Sequence, residues 1–413
     1  MNLRNKHLDE SFNVNASLHK AVDLLNETFN ESEILASSSD VFSSSLPKDG
    51  MGEEAALDVL APYILAGAAP LDSPQALAHM DPPTPWITWA TSMLNASLNQ
   101  NVLHLATGPF ARQAEQLVIE WLSPYFSMQG GHFCAGSTIA NLTALWAARD
   151  AKGVTKVVAS QAAHISVAKA AKILGLEYQS IDVLNDGTIN KAKLGNLSNA
   201  CLVLTAGTTS TGSIDDLSLA EHANAKWVHV DAAWAGPLQL SSLHRKLLDG
   251  IEQADSIAIS AHKWLFQPKD SALILFKHAD AANQAISMGS DYLVAPNVGV
   301  QGSRGASAVT LLATMLAWGE VGFAKRIDKS MAMATILADY VSAHHQLALW
   351  QPPSTGVTVF RPMNMTVEAL LLTLPKGLFS RCKIAGKDYV RSVAANPNAN
   401  IELILQKLDR ALN

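Results

Sequence analysis

The most reactive group that the sequence offers is a lysine between two apolar runs. Lys263 lies in residues 260–264, between the runs 256–259 and 272–276. A free ammonium is costly to bury beside apolar strands, and burial lowers its pKa. A lysine with a lowered pKa is suited to forming a Schiff base with a carbonyl group. The alternative is a lysine at the end of an edge strand that extends to water, and these five residues alone favour that alternative.

An aspartate is the second candidate for chemistry. Asp231 ends the apolar run 227–230 and is followed by the small residues Ala232 and Ala233. A buried carboxylate needs a cationic or hydrogen-bonding partner, and a protonated pyridine nitrogen is such a cation. The small residues after Asp231 leave room for a flat ring.

Three polar motifs also come directly after predicted strands or open helices. Gly136, Ser137 and Thr138 open a predicted helix, where free N–H groups bind phosphate. His164 opens another helix, and residues 205–212 form a loop rich in hydroxyl groups and glycine. Taken alone, each motif is more often a helix cap, an ordinary helix start or a plain loop than part of a binding site. Because ligands of open parallel sheets lie at the carboxyl ends of the strands, their shared placement favours one site.

The order of these motifs indicates a cofactor. A phosphate site, a carboxylate for a pyridinium nitrogen and a lysine for an aldehyde together describe the requirements of pyridoxal 5′-phosphate. The lysine follows the aspartate by 32 positions (263 minus 231). The sequence therefore predicts pyridoxal phosphate as the cofactor.

The elements that must position these residues are predicted to form an α/β domain. Short β-rich runs alternate with helical segments, which favours a mostly parallel sheet covered on both faces. A long helix from about Val321, strands at 356–361 and within 378–390, and a closing helix at 401–412 predict a small α+β domain. The β-rich runs of the first domain are 155–159, 178–183, 201–205, 227–230, 256–260 and 272–276.

The predicted domains are an N-terminal helical segment at 1–85, a large domain at 86–325 and a small domain at 326–413. In the first segment, Leu18, Val22, Leu25 and Phe29 have helical spacing. A serine-rich loop is predicted at 36–45. A second helix is predicted at 53–68, interrupted at Pro62.

Composition excludes several classes of protein. The 413 residues carry a formal net charge of −6, so neither a nucleic-acid partner nor a membrane surface is expected. No apolar run was found to reach the ~18 residues of a membrane span, and residues 1–15 are polar. Three scattered cysteines favour a reducing cytosol over a disulfide framework, and no spacing indicates a metal site. No glycine-rich dinucleotide motif or Walker lysine supports a simple nucleotide-binding domain.

The chain resembles the group II pyridoxal-phosphate-dependent amino-acid decarboxylases, over roughly residues 75–413. The resemblance implies a fold-type I transferase fold, with a mostly parallel seven-stranded sheet and a small α+β C-terminal domain. It also implies a homodimer with active sites at the interface. The matching motifs are Gly136-Ser137-Thr138 with 140–145, His164 with 166–171, and residues 205–209, 230–234, 262–264, 302–304 and 386–391.

The resemblance implies four catalytic residues. Lys263 would carry the cofactor as a Schiff base, and Asp231 would keep the ring nitrogen protonated. His164 would stack on the ring and help to orient the substrate carboxylate. Tyr292, in a loop, would return a proton to Cα after CO2 is lost.

The resemblance also implies residues that hold the cofactor without chemistry of their own. Ser137 and Thr138 would bind the phosphate with help from His262. Ala233 would pack on the ring face opposite His164. Thr208 would support the hydrogen bonds near Asp231.

The implied activity is decarboxylation of an L-amino acid. Residues 79–85 lack the aromatic pocket entrance of the aromatic branch and are more similar to the diaminobutyrate branch, so a diaminobutyrate or glutamate type is favoured. Arg361, Arg381 and Arg391 leave open another lyase or an aminotransferase. Only ten residues (293–302) separate Tyr292 from Ser303, which leaves open a cofactor-binding protein with little turnover.

Overall fold

The computed structural model describes residues 17–27 and 45–413, which fall into two compact units, 1–70 and 71–413. The described part of the first unit holds helices Ser17–Leu24 and Glu53–Ala66. Phe29 and most of the predicted serine-rich loop lie outside the described residues. The predicted interruption at Pro62 is wrong: the helix continues through this residue, although proline has no N–H to donate to the preceding turn. The three predicted domains and their limits stay predictions.

A seven-stranded sheet forms the centre of the second unit, in the order β1-β7-β6-β5-β4-β2-β3. β7 runs antiparallel to both of its neighbours, and the other paired strands are parallel. The predicted mostly parallel α/β fold is therefore confirmed. The strands are β1 Gly130–Cys134, β2 Lys156–Ser160, β3 Glu177–Ile181, β4 Ala200–Thr205, β5 Trp227–Asp231, β6 Ser256–Ser260 and β7 Ala272–Phe276.

β1 was not predicted as a strand, because its sequence has two glycines and little apolar alternation. The structure explains one of those glycines. A Cβ atom on Gly131 would lie 1.9 Å from the carbonyl oxygen of Ile274 in the neighbouring strand. Only glycine therefore permits this close pairing of β1 with β7.

The sheet is covered on both faces, and every residue of β4 to β7 is buried. Successive residues of β4 pack on opposite faces of the sheet, in two separate core clusters: Leu202 and Leu204 in one, Cys201 and Val203 in the other. Such alternation with a period of two residues is expected of a strand that has a layer of helices on each face. The helices of this unit are Trp86–Leu98, Pro109–Leu122, Ser137–Lys152, Ile165–Ile173, Leu219–His222, Ala279–Ala285, Ser307–Ala343, Val367–Thr373 and Ile401–Leu412.

The helix Ser307–Ala343 consists of two helical segments that meet at a kink at Gly319, whose backbone (φ 58°, ψ −176°) is not helical. The second segment begins close to Val321, as predicted. The helix has the length and composition of a membrane span, with a mean hydropathy of 1.4 over 18 residues. Leu311 and Ile327 are fully buried and pack in the main core cluster, so this apolar composition contributes to the core.

A four-stranded antiparallel sheet follows, in the order β10-β11-β13-β12. β10 is Leu347–Leu349, β11 Val357–Pro362, β12 Ser380–Ile384 and β13 Lys387–Val393. This sheet and helix Ile401–Leu412 agree with the predicted α+β arrangement. A separate hairpin pairs β8 Ser287–Met288 with β9 Asn297–Val298.

Candidate active site

Seven of the nine predicted site residues line one cavity of about 310 Å³ at the carboxyl ends of the central strands. Such a volume lies at the lower end of the range for small-molecule sites. Cavities of about 390 Å³ beside Arg304 and about 360 Å³ beside Gln267 are larger, but none of the predicted residues lines them. The lining residues of the 310 Å³ cavity are Ala135, Gly136, Ser137, Thr138, His164, Thr205, Gly207, Thr209, Asp231, Ala233, His262, Lys263 and Asp270.

Lys263 lies in the tight turn between β6 and β7. Its N–H donates to the Ser260 carbonyl oxygen (3.3 Å), and its own carbonyl accepts from the Phe266 N–H (2.9 Å). Desolvation lowers the pKa of the Lys263 ammonium, although the nearby charge of Asp231 acts in the opposite direction. The turn thus presents an amine that deprotonates more readily than an ordinary lysine, as imine formation requires.

The walls beside Lys263 and Ala233 are fixed by two tryptophans. Trp264 and Trp234 are fully buried, and their ring centroids lie 4.0 Å apart. Each follows directly after a cavity residue in the chain. The packed indole pair therefore fixes both backbone segments relative to each other.

Asp231 ends β5 and is 4% exposed. One carboxylate oxygen accepts from the Ala233 N–H (3.2 Å), and the other accepts from Asn141 Nδ2 (2.9 Å). Within residues 17–27 and 45–413, Asp231 forms no ion pair. A buried carboxylate that faces a cavity and has no ion-pair partner among the described residues suits a protonated ring nitrogen.

The N-terminus of helix Ser137–Lys152 opens onto the same cavity. Gly136 caps it with a left-handed φ of 89° and no side-chain hydrogen bond. The backbone N–H groups of Ser137 and Thr138 donate to no described residue. Ser137 Oγ lies 2.8 Å from Ser260 Oγ. These free donors at a helix N-terminus form a cradle for a phosphate group.

His262 adds a neutral imidazole beside this cradle. Burial, reinforced by the charges of Lys269 and Lys263, lowers the pKa of His262 to about 4. Its buried Nδ1 has no hydrogen-bond partner among the described residues. An unpaired ring nitrogen next to unpaired backbone N–H groups fits the binding of an anionic ligand.

His164 is the N-cap of helix Ile165–Ile173. Its Nδ1 accepts from the Ser166 N–H (3.3 Å) and lies 2.8 Å from Ser166 Oγ. Its exposed ring lines the cavity, as does the methyl group of Ala233. A flat ring can fit between an imidazole and a small apolar side chain.

Two predicted residues are not brought to the cavity. Thr208 belongs to the loop 205–212, and its side chain is buried there, with Oγ1 2.6 Å from Thr211 Oγ1. Tyr292 lies in the hairpin loop between β8 and β9, 69% exposed, with its ring 6.0 Å from that of His104.

Sequence reasoning missed the hydroxyl groups that do line the cavity beside Thr208. Thr205 and Thr209 are cavity residues, and Thr205 Oγ1 is buried without a described partner. The loop had been identified, but its sequence does not reveal which hydroxyl faces inward. Asn141, which binds Asp231, was quoted only as part of a motif.

The donor set fits pyridoxal phosphate. The cavity combines an amine of lowered pKa with a buried carboxylate and a helix N-terminus. In the described part of the chain, the carboxylate has no ion-pair partner and the Ser137 and Thr138 N–H groups have no hydrogen-bond acceptor. These groups match the aldehyde, the ring nitrogen and the phosphate of that cofactor.

The chain is similar to known decarboxylases over most of its length. The profile of the family described as pyridoxal-dependent decarboxylase conserved domain matches residues 41–363. An L-2,4-diaminobutyrate decarboxylase from Rhizobium meliloti is 31% identical, over 88% of this chain and 82% of that protein. An aspartate 1-decarboxylase from Aliivibrio fischeri is 27% identical, over 80% of this chain and 72% of that protein.

Solved structures share the fold. The glutamate decarboxylase domain of a Vibrio parahaemolyticus protein has a TM-score of 0.82 and 24% identity, over 96% of this chain and 93% of that one. The Oryza sativa TDC structure with PLP and tryptamine has a TM-score of 0.82 and 21% identity, over 97% of this chain and 99% of that one. The fold-type I architecture, the pyridoxal phosphate cofactor and the carboxy-lyase class are thereby confirmed, and the chain belongs to the pyridoxal-dependent decarboxylase family.

Proposed function

We propose that this family member releases CO2 from an L-amino acid at the cavity described above. The observation that carries the proposal is that Lys263, Asp231 and His164 line one cavity beside an unpaired helix N-terminus. When bound, pyridoxal phosphate supplies an aldehyde that joins amines covalently and a protonated ring that accepts the electrons left when CO2 departs.

Lys263 supplies the amine that holds the cofactor, and its lowered pKa favours the neutral form that reacts. With substrate in the cavity, Lys263 Nζ would be placed to hold or move a proton. Asp231 places negative charge at the ring nitrogen and so keeps a proton there. Its burial strengthens this interaction, since few waters screen it.

Ser137 and Thr138 bind the phosphate through their backbone N–H groups, and His262 donates from its ring. Because His262 is neutral near pH 7, it contributes a hydrogen bond and no charge. His164 and Ala233 hold the two faces of the ring, and His164 orients the substrate carboxylate. Thr208 acts indirectly, since its hydroxyl group fixes the loop that carries Thr209.

We propose that Tyr292 returns the proton to Cα in the site of a second copy of the chain. Tyr292 does not line the cavity of its own chain, and its side chain is largely exposed. A homodimer would bring such a loop over the neighbouring site and exclude water there. Exposed apolar side chains on one helix support an interface between copies: Trp86, Trp89, Met93, Leu94 and Leu98.

Mixed dimers test this arrangement. The variants Lys263→Ala and Tyr292→Phe, co-expressed with different tags, give dimers with one copy of each. If Tyr292 acts on the partner's site, one site of the mixed dimer contains both native residues, and activity returns. If Tyr292 acts within its own chain, or not at all, mixing restores nothing beyond the activities of the two variants. Sedimentation analysis of the native chain checks the dimer itself.

The favoured substrates are of the diaminobutyrate or glutamate type. The support is the 31% identity to the Rhizobium meliloti L-2,4-diaminobutyrate decarboxylase, together with residues 79–85. The test measures CO2 release from acidic, basic and aromatic L-amino acids with cofactor-loaded protein. Lys263→Ala is the control and is expected to release none. Release only from aromatic substrates contradicts the substrate type, and release from no amino acid contradicts the activity.

An aminotransferase is the second candidate, because one arginine of the small sheet reaches the cavity loop. Arg391 Nη1 donates to the carbonyl oxygen of Thr209 (2.8 Å), and its other nitrogens donate to Ser380 Oγ (3.1 Å) and the Ala78 carbonyl oxygen (3.2 Å). These acceptors are neutral, although the charge of Asp81 lies nearby. Because Arg391 does not line the cavity, a substrate carboxylate can pair with the guanidinium only if it extends beyond the cavity. Amino transfer to a keto acid, measured in the same panel, distinguishes the two reactions. Cofactor binding without either reaction supports a binding protein with little turnover.

We also propose a cytosolic location without nucleic-acid or membrane partners. The three cysteines are free and buried, as in proteins of reducing compartments: Cys134, Cys201 and Cys382. Fractionation of cells that express the chain tests this, and recovery with the membranes contradicts it.

A further inference from the structure

A buried chain of hydrogen bonds runs beneath Asp231 and reaches His164. Asn141, fully buried in helix Ser137–Lys152, lies at its centre. Its Nδ2 donates both to Asp231 Oδ2 (2.9 Å) and to Ser166 Oγ (2.8 Å). Its Oδ1 lies 3.0 Å from His229 Nε2. One amide thus contacts Asp231 directly and reaches His164 through Ser166.

Two groups fix the directions of these hydrogen bonds: the Asp231 carboxylate can only accept, and the Trp227 indole N–H can only donate. Both amide protons of Asn141 are used, so its Oδ1 must accept, and His229 Nε2 must carry a proton. At the far end, Trp227 Nε1 can only donate, and it donates to Ser256 Oγ (2.9 Å). The Ser256 hydroxyl proton is then free to bind His229 Nδ1 (2.9 Å). The Ser256 carbonyl oxygen also lies 3.2 Å from this Nδ1, but it receives no proton when the neutral ring carries its proton on Nε2.

The same reasoning fixes the proton of His164. Ser166 Oγ accepts from Asn141, so its own proton is directed to His164 Nδ1 (2.8 Å), which also accepts from the Ser166 N–H (3.3 Å). With two donors facing Nδ1, the proton of a neutral His164 belongs on Nε2. Burial lowers the pKa of His229 to about 4, which agrees with a neutral His229 in this chain of bonds.

We infer that Asn141 and His229 are positioning residues, which orient the Asp231 carboxylate and hold His164 in its Nε2-protonated form. Neither lines the cavity, so both act through other residues. The roles of Asp231 and His164 toward the cofactor rest on the proposed function. The hydrogen-bond directions rest on the geometry alone.

The first test needs no cofactor. Nitrogen NMR of cofactor-free protein labelled with ¹⁵N-histidine reports the tautomer of each ring, and His164→Gln assigns the signal. The native chain is expected to favour Nε2–H at His164 by roughly tenfold, the equivalent of one hydrogen bond. Asn141→Ala frees Ser166 Oγ to accept, so the two tautomers become comparable. A native His164 protonated on Nδ1, or an unchanged tautomer in Asn141→Ala, overturns the inference.

The second test separates positioning from general stability. Thr143→Ala is the matched control, because Thr143 is also fully buried in the same helix and its Oγ1 donates to the Ile139 carbonyl oxygen (2.8 Å). Its other side-chain partner is Cys134, which lies outside the chain of hydrogen bonds around Asn141. Both variants are expected to unfold more easily, but only Asn141→Ala should change the His164 tautomer. His229→Gln keeps a donor for Asn141 and is expected to preserve the tautomer better than His229→Leu.

The loaded enzyme supplies the third readout. Loss of a hydrogen bond to a charged carboxylate predicts a kcat roughly 10- to 100-fold lower in Asn141→Ala, with KM nearly unchanged, because Asn141 contacts no substrate cavity. A higher KM with native kcat, or losses equal to those of Thr143→Ala, overturns the inference. Failure of the native chain to bind cofactor contradicts the proposed function instead, and the NMR result still decides the hydrogen-bond directions.

Discussion

Gly207 allows a sharp test of how the cavity is built. The residue lines the cavity with a left-handed φ of 94°. A Cβ atom there would lie 2.7 Å from Trp234 Cδ1 and 3.3 Å from the Cβ of Ala235. Trp234 cannot move away, because it is 1% exposed and packs on Trp264. Gly207→Ala therefore adds both backbone strain and a steric clash.

The magnitude follows from these two terms. The left-handed conformation costs an alanine about 1–2 kcal/mol, and overpacking of a rigid core adds about 1–3 kcal/mol. We expect Gly207→Ala to lower the free energy of unfolding by about 2–5 kcal/mol. The matched control is Gly175→Ala, since Gly175 has a φ of 68° and no atom within 4 Å of the new Cβ. That variant should lose only the strain term, about 1–2 kcal/mol.

Urea unfolding measures the difference between the two variants, and cofactor absorbance measures the consequence for the site. Gly207→Ala should also retain less cofactor, because Gly207 itself lines the cavity and the clash is with Trp234, the neighbour of the cavity residue Ala233. Equal destabilisation of Gly207→Ala and Gly175→Ala would refute the reasoning, since it would mean that the indole pair yields without cost.

Three further predictions concern charge, pH and turnover. Glu115→Leu and Arg304→Leu should each lower the free energy of unfolding by about 3 kcal/mol, because each leaves one charge of a largely buried pair without its partner. In urea unfolding, the double variant should lose less free energy of unfolding than the two single variants lose together. Losses that simply add would contradict the pairing of Glu115 with Arg304. Lowering the pH from 7 to 5 should destabilise the fold, because burial lowers the pKa of His132 to about 3 and of His229 to about 4. The stability that the two neutral rings contribute is complete above pH 6.5, the pKa in the unfolded chain, and is lost as the pH falls toward 4. At pH 5 the free energy of unfolding should be lower by roughly 2 kcal/mol for each ring. A free energy of unfolding that does not change between pH 7 and pH 5 would contradict this prediction. Tyr292→Phe should lower kcat by roughly 10²-fold or more while cofactor absorbance stays native, and an unchanged kcat would remove Tyr292 from the mechanism.

The fold was largely predictable because its strands are short, apolar and regularly spaced. β4 to β7 are buried along their whole length, so their sequences carry a strong apolar signal. β1 carries no such signal, since its glycines serve a close approach between backbones that only the paired strand reveals. The start of a long helix near Val321 was predictable because Gly319 breaks the helical backbone just before it.

The site was predictable where chemistry dictates residue type, and less so where hydrogen bonds depend on packing. Lys263, Asp231 and His164 stand out because an amine, a carboxylate and an imidazole follow apolar strands. By contrast, the threonines of the loop 205–212 are alike in sequence, and only the fold shows that Thr205 and Thr209 line the cavity. The role of Asn141 depends on contacts with residues 25 to 90 positions away, which no local pattern encodes.

Reduction of the cofactor-loaded protein with borohydride, followed by peptide mapping, tests the central claim most directly. If the amine of Lys263 holds the aldehyde, a reduced pyridoxyl group is expected on the peptide that contains Lys263, and Lys263→Ala should carry no label. A stable pyridoxyl label on any other lysine, or native protein that takes up cofactor without becoming labelled, would contradict the account.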